Sequence, residues 1–210
     1  VLRETVNLSL AVMASVPLAL LSGLALTLLN GTFLEELVAT FNQALAQLEQ
    51  DLSQEGSQQL AFNALSVPQV AALLATGNAV IALMSLMLGR YWQAALYNPG
   101  GFGDEFRALS LPREAVLIMA AAATALWWMG PDWRVWSAAA VLPLTFVGFA
   151  LAHAYAAQTG KGVTWLTLIY VVWIVLDPAK WLWVACVVVD AFVNFRAKWS
   201  TKTGTGPKDV

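Results

Sequence analysis

Three side chains stand out because their chemistry is at odds with the apolar sequence around them. Asp190 falls within the last long apolar run, and Asn194 follows one helical turn later. A charge inside a membrane helix is costly, so it normally faces protein, water or a partner. The basic tail begins close by, at Arg196. Asp190 therefore reads in two ways, as an interior polar site or as an acid reaching the headgroup region. His153, the single histidine, lies inside another apolar run. It has no second histidine and no HExxH context for a metal. That leaves a hydrogen-bonded packing role, or a contact with a proton or a ligand. Asp190, Asn194 and His153 are thus the candidate ligand-binding residues.

A second candidate region is the stretch Asn98-Pro99-Gly100-Gly101-Phe102-Gly103-Asp104-Glu105-Phe106-Arg107, followed by Leu111-Pro112-Arg113. Closely spaced glycines let a backbone turn sharply or approach a partner. Asp104 is placed to cap a short helix on which Phe102, Phe106 and Leu109 share one face. The segment reads as an interfacial turn between two spans, or as a docking site for a partner through Gly100, Gly101, Phe102, Gly103, Asp104, Phe106 and Arg107. It is no phosphate loop, since neither GxGxxG nor GK[ST] is present. Gly101–Asp104 does match the GxGD pattern of intramembrane aspartyl proteases, which need two aspartates sharing a proton. Here the motif runs into Glu105 and Arg107 rather than an apolar helix, and no YD-type partner stands in another span. No nucleophile–base pair is visible elsewhere, so no catalytic residue, metal or cofactor is assigned and the expected class is non-enzymatic. Cys186, the lone cysteine, reads as a small apolar filler.

The elements that must position these residues follow from composition. Of 210 residues, 59% are hydrophobic and 11% charged, and the mean hydropathy is +0.66. A soluble domain carries about 25% charged residues, so this chain cannot coat a water-facing globule of its size. Net charge of −2 gives no basic surface for nucleic acid. The expectation is an all-α, polytopic membrane bundle forming a single membrane domain over residues 1–210. A span needs roughly 17–25 apolar residues, and the candidate spans are 6–29, 67–88, 115–129, 135–157, 163–176 and 178–198. Ser66 and Pro68 mark the second start. The last two are separated by Asp177-Pro178, read as a helix-start signal, with Asp177 also placed to pair with Lys180.

Charge distribution sets the orientation, because cytoplasmic loops collect Lys and Arg. The segment 30–67 holds five acidic residues and no basic one, whereas 90–114 carries Arg90, Arg107 and Arg113. The tail adds Arg196, Lys198, Lys202 and Lys208. Six spans satisfy all three segments and place both termini in the cytoplasm. Within the outer segment, Leu34, Leu37, Val38, Phe41, Leu45, Leu48 and Leu52 recur at helical steps. This predicts an extracytoplasmic amphipathic helix over 33–52, either a structural interface helix or a movable lid. In the fourth span, Gly148, Ala152 and Ala156 recur at four-residue steps, a small-residue seam for close helix packing within the bundle or between subunits. All ten tryptophans lie at or after Trp92, which suggests belts at the two water interfaces.

The stretch from Asn98 to Arg113, with the alternating spans around it, resembles the YybS-like family of bacterial integral membrane proteins, a domain-of-unknown-function group. Its members are distantly similar to the substrate-binding membrane subunits of energy-coupling-factor vitamin transporters, which are six-span bundles. The resemblance implies a bacterial inner-membrane protein and, since members generally extend further at the N-terminus, a shortened member. It carries no catalytic or ligand residue across. The leading expectation is a substrate-capture or transport-accessory subunit in the lipid bilayer, its small-molecule ligand held between helices beneath the 33–52 helix. The alternative is a structural or assembly protein that binds another membrane protein through the Gly148–Ala156 seam and the Pro99–Arg107 loop.

Overall fold

A computed structural model of the chain describes residues 7–29, 31–54 and 62–202. Its helices are α1 (Leu8–Leu29), α2 (Gly31–Gln54), α3 (Val67–Tyr97), α4 (Gly101–Ala108), α5 (Arg113–Trp128), α6 (Pro131–Arg134), α7 (Ser137–Thr159), α8 (Val163–Val175), α9 (Asp177–Val193) and α10 (Phe195–Lys202). No strand occurs among the described residues, so the all-α expectation holds. The long helices α1 and α7 are apolar on every side. That is the pattern of helices whose one face meets protein and whose other face meets lipid. Large apolar side chains such as Leu21, Leu28, Ile81 and Leu182 accordingly stay on the outside. The fold is a bundle of apolar helices suited to an integral membrane protein.

Helix lengths refine the span count. Among the described residues, three helical stretches are long and apolar enough to cross a membrane alone: Leu8–Leu29, Val67–Tyr97 and Pro131–Thr159. Two bent pairs, α4 with α5 and α8 with α9, bring the count to at most five. The six spans expected from sequence would need α8 and α9, which meet at a bend of 117°, to cross separately. With 13 and 17 residues, they are about 20 and 26 Å long. The break itself was legible at Asp177-Pro178, although the helix starts one residue earlier, with Leu176 at the cap position and Asp177 in the first turn. Lys180 Nζ donates to Asp177 at 2.6 Å, as expected. The expected 178–198 helix ends at Val193, since Asn194 adopts a left-handed conformation and starts a new direction.

α7 is the axis of the bundle and contacts every other described helix near it, from α1, α3 and α5 to α9 and α10. Leu144, Val147 and Ala150 of α7 meet Val12 of α1, Leu83 of α3, Val116 of α5 and Val187 of α9 in the main apolar core. Two glycines let large rings in. A Cβ on Gly148 would collide with the Trp183 indole of α9, and one on Gly23 would collide with the Trp136 ring. The Trp183 N–H also donates to the Thr145 carbonyl of α7 at 3.3 Å. Gly148, Ala152 and Ala156 are all buried within the chain. The small-residue seam is thus intramolecular, which removes it as a face for another subunit.

α2 packs across the start of α3. Leu34 is fully buried against Val70 and Ala71, with Leu37, Val38 and Trp136 around them. Asn42 clamps the following segment, donating to the Leu65 carbonyl at 3.0 Å and accepting from its N–H at 2.7 Å. Ser66 then caps α3, with Gln69 reaching back to the Ser66 N–H at 3.0 Å. The Ser66 hydroxyl donates to Asp132 at 2.6 Å, tying this corner to α6. The amphipathic stripe is therefore docked at its first half, while Phe41 and Leu48 remain exposed.

Candidate functional site

The polar residues nominated by the sequence gather at one end of the bundle, the basic end, where α4, α10 and the ends of α3, α7 and α9 meet. Asp190 is buried, with 8% exposure. Its Oδ1 accepts the Phe195 N–H at 2.8 Å and its Oδ2 accepts from Arg196 Nη1 at 3.1 Å. Arg196 Nη2 donates in turn to the Leu109 carbonyl at 3.0 Å, on the link between α4 and α5. Burial pushes the Arg196 pKa down, and the Asp190 carboxylate acts against that. The left-handed turn at Asn194 is what folds Arg196 back onto Asp190. Asp190 is thus an interior polar group whose partners come from its own chain, and the arrangement is a clasp. Asp190, Asn194 and Arg196 line a small cavity of about 230 Å³ together with Ser110 and Val147.

His153 does not share that cavity. Its Nε2 and the Tyr170 hydroxyl of α8 share a hydrogen bond of 3.0 Å, and its ring makes a T-shaped pair with Phe106 of α4 at 5.4 Å between centroids. The hydrogen-bonded packing role fits this placement.

The Gly-rich stretch is a short helix rather than an open loop. Gly100, not Asp104, occupies the cap position, with φ of +88° that favours glycine. A Cβ on Gly101 would collide with the Asn98 side chain. Phe102 and Phe106 stack at 6.1 Å and pack onto the main core. Glu105 forms an ion pair with Arg90, whose Nη1 also donates to Gln93 at 2.7 Å. Gly103 lies beside the Arg107 guanidinium. Asp104, 80% exposed, pairs with Arg107 at 2.5 Å. The aromatic face proposed for docking is therefore turned into the chain, leaving Asp104 and Arg107 outward. Among the described residues, no group of three His, Cys, Asp or Glu side chains is placed to hold a metal ion.

A larger cavity lies elsewhere. About 540 Å³ opens between α3, α7 and the α8–α9 bend, with Thr76 and Val80 on one wall and Ala138 and Val141 at the back. Trp127 of α5, Trp173 of α8 and Trp181 of α9 add three indole rings, and Ser137, Thr145, Asp177 and Lys180 also line it. Trp127 and Trp181 meet edge to face at 5.0 Å. Two cations stack on these walls, Arg134 over Trp127 at 4.6 Å and Lys180 over Trp173 at 5.8 Å. Thr76 Oγ1 is buried and has no hydrogen-bond partner. A helical threonine ordinarily donates to a carbonyl one turn back, as Thr145 does to Val141 at 3.1 Å.

This cavity is not where the sequence placed the ligand. The space directly beneath α2 is filled by Leu34, Val70, Ala71 and Trp136. Thr76 lies about 13 Å along α3 from its start. Sequence reasoning missed Thr76, Trp127, Trp173 and Trp181. The available signal was the tryptophan clustering around positions 127 and 173–183, which an interface-belt reading absorbs without asking whether the rings line a hollow. No protein-family model, curated protein or solved structure matches the chain.

Proposed function

We propose that this integral membrane protein is a substrate-capture or transport-accessory subunit, and that its ligand occupies the Trp127–Trp173–Trp181 cavity. The observation that carries this reading is the cavity itself. Small-molecule sites are concave, mostly apolar, about 300–1,000 Å³ in volume and supplied with a few placed polar groups. At about 540 Å³, mostly apolar and with Asp177 and Lys180 among its lining residues, the cavity fits that description. The bend between α8 and α9 supports the same reading, since interrupted membrane helices commonly form binding sites at depth.

The basic end is taken to face the cytoplasm of a bacterial inner membrane, following the excess of Arg in 90–114. The α8–α9 pair leaves that end near Tyr155, which packs on Trp165. It returns to it at Arg196, so the basic tail stays on the same side whether the pair counts as two short spans or one re-entrant element. Native mass spectra of the chain released from mild detergent test the proposal. A small-molecule adduct on the wild-type chain, absent from Ala138→Trp, is the expected result. An adduct that survives this filling substitution, or none at all on the wild type, overturns it.

A further inference from the structure

We infer that the turn between α7 and α8 holds the phosphate of an anionic phospholipid, with Lys161 as its cation and the exposed side of α8 along its acyl chains. Lys161 stands between Gly160, left-handed at φ of +66°, and Gly162, and it is exposed. Its Nζ lies 4.9 Å from the Tyr155 ring centre and 4.1 Å from the Trp165 ring centre. Aromatic faces hold an ammonium in place without neutralising it. The acids of the basic end are engaged elsewhere. Glu105 pairs with Arg90, Asp104 with Arg107, Glu114 with Arg113 and Asp190 with Arg196. Among the described residues Lys161 has no acidic partner, so it keeps its full charge. The start of α8 adds to that charge, since Gly162 at the cap position has no side chain to accept the first N–H groups.

Two observations make the anion a lipid head rather than a free ion. Tyr155 packs on both Trp165 and Trp199 of α10, and such rings gather at headgroup level. Leu168, Val171 and Val175, at helical steps, then leave one side of α8 apolar and exposed. The 13 residues of α8 measure about 20 Å, enough to line the roughly 15 Å of one leaflet. Basic groups at the cytoplasmic ends of membrane helices meet anionic heads in this way. The site is separate from the tryptophan cavity and stands whether or not that cavity captures a ligand.

In the test, the intact chain in neutral detergent meets equal amounts of phosphatidylglycerol and phosphatidylcholine with the same acyl chains. Adducts are counted by native mass spectrometry. The first adduct is expected to be phosphatidylglycerol, favoured roughly fivefold; Lys161→Gln abolishes that preference and Lys161→Arg keeps it. Lys161 lies outside the core, so neither variant disturbs folding. Lys180→Gln, at the other end of the bundle, and Ala138→Trp, in the cavity, also keep it. No preference in the wild type, or the same preference in Lys161→Gln, overturns the inference. So does its loss in Ala138→Trp, which places the lipid in the tryptophan cavity. Inorganic phosphate is then titrated in. Displacement of the lipid at equal concentration overturns the lipid assignment in favour of a free ion, and failure to compete supports it.

Discussion

At the basic end, Asp190, Arg196, Arg90 and Glu105 each meet a partner from their own chain, and Phe102 and Phe106 fill the space between them. Around the tryptophan cavity the walls are aromatic and aliphatic, and the charged lining residues, Asp177 and Lys180, pair only with each other. The two regions use polarity for opposite ends. In the first, charges close the structure by tying α9 and α10 to the α4–α5 link. In the second, polar groups are few and the hollow between the helices stays open. Buried charge in this bundle therefore marks architecture, and the open apolar hollow marks the place where something else can bind.

The difference is sharpest where it is most costly to remove. Replacing Asp190 with Ala leaves Arg196 buried against a carbonyl without its carboxylate, a loss of about 3–5 kcal/mol. Unfolding in mixed micelles should show that loss, with ligand adducts unchanged in the fraction that stays folded. Gly148→Leu forces the Trp183 indole out of its seat on α7, which costs about 1–3 kcal/mol of overpacking strain. The chain should stay monomeric by light scattering at the concentrations where the wild type is monomeric, because the seam is internal. If the variant instead separated a wild-type dimer, the intramolecular assignment would be wrong.

Asn42→Ala removes two hydrogen bonds to Leu65, worth about 0.5–1.5 kcal/mol each. Faster amide exchange around Leu65 and Ser66, with α9 unaffected, is the expected signature. His153→Phe is the mildest change: it keeps the ring against Phe106 and gives up one neutral hydrogen bond to Tyr170, about 1 kcal/mol. Thermal unfolding should shift slightly and cavity occupancy should not. A large loss of occupancy would join His153 to the functional region and dissolve the contrast drawn above.

Much of the fold was legible in the sequence, for reasons particular residues make plain. Apolar runs between Glu4 and Glu35 or between Arg134 and Lys161 leave a helix few alternatives, and Ser66-Val67-Pro68 marks a start by local chemistry alone. The Asp177-Pro178 break was readable for the same reason. The 117° angle between α8 and α9 was not, because no local signal fixes it. The site was less legible still. Asp190 and His153 attract notice because they are rare in such surroundings, yet rarity does not reveal whether Arg196 or Tyr170 lies within reach. Trp127, Trp173 and Trp181 are separated in sequence and converge only through packing. Gly148 shows both sides of the problem: its spacing announced close contact, but not that the contact would be the Trp183 indole.

The central claim is that the ligand site is the tryptophan cavity and that the buried acid is structural. Native mass spectra of Asp190→Asn and Ala138→Trp, recorded side by side in one detergent, test it most directly. The account predicts that folded Asp190→Asn keeps the small-molecule adduct of the wild type and that Ala138→Trp loses it. The reverse pattern, an adduct kept by Ala138→Trp and lost by Asp190→Asn, would contradict the account and move the site to the basic end.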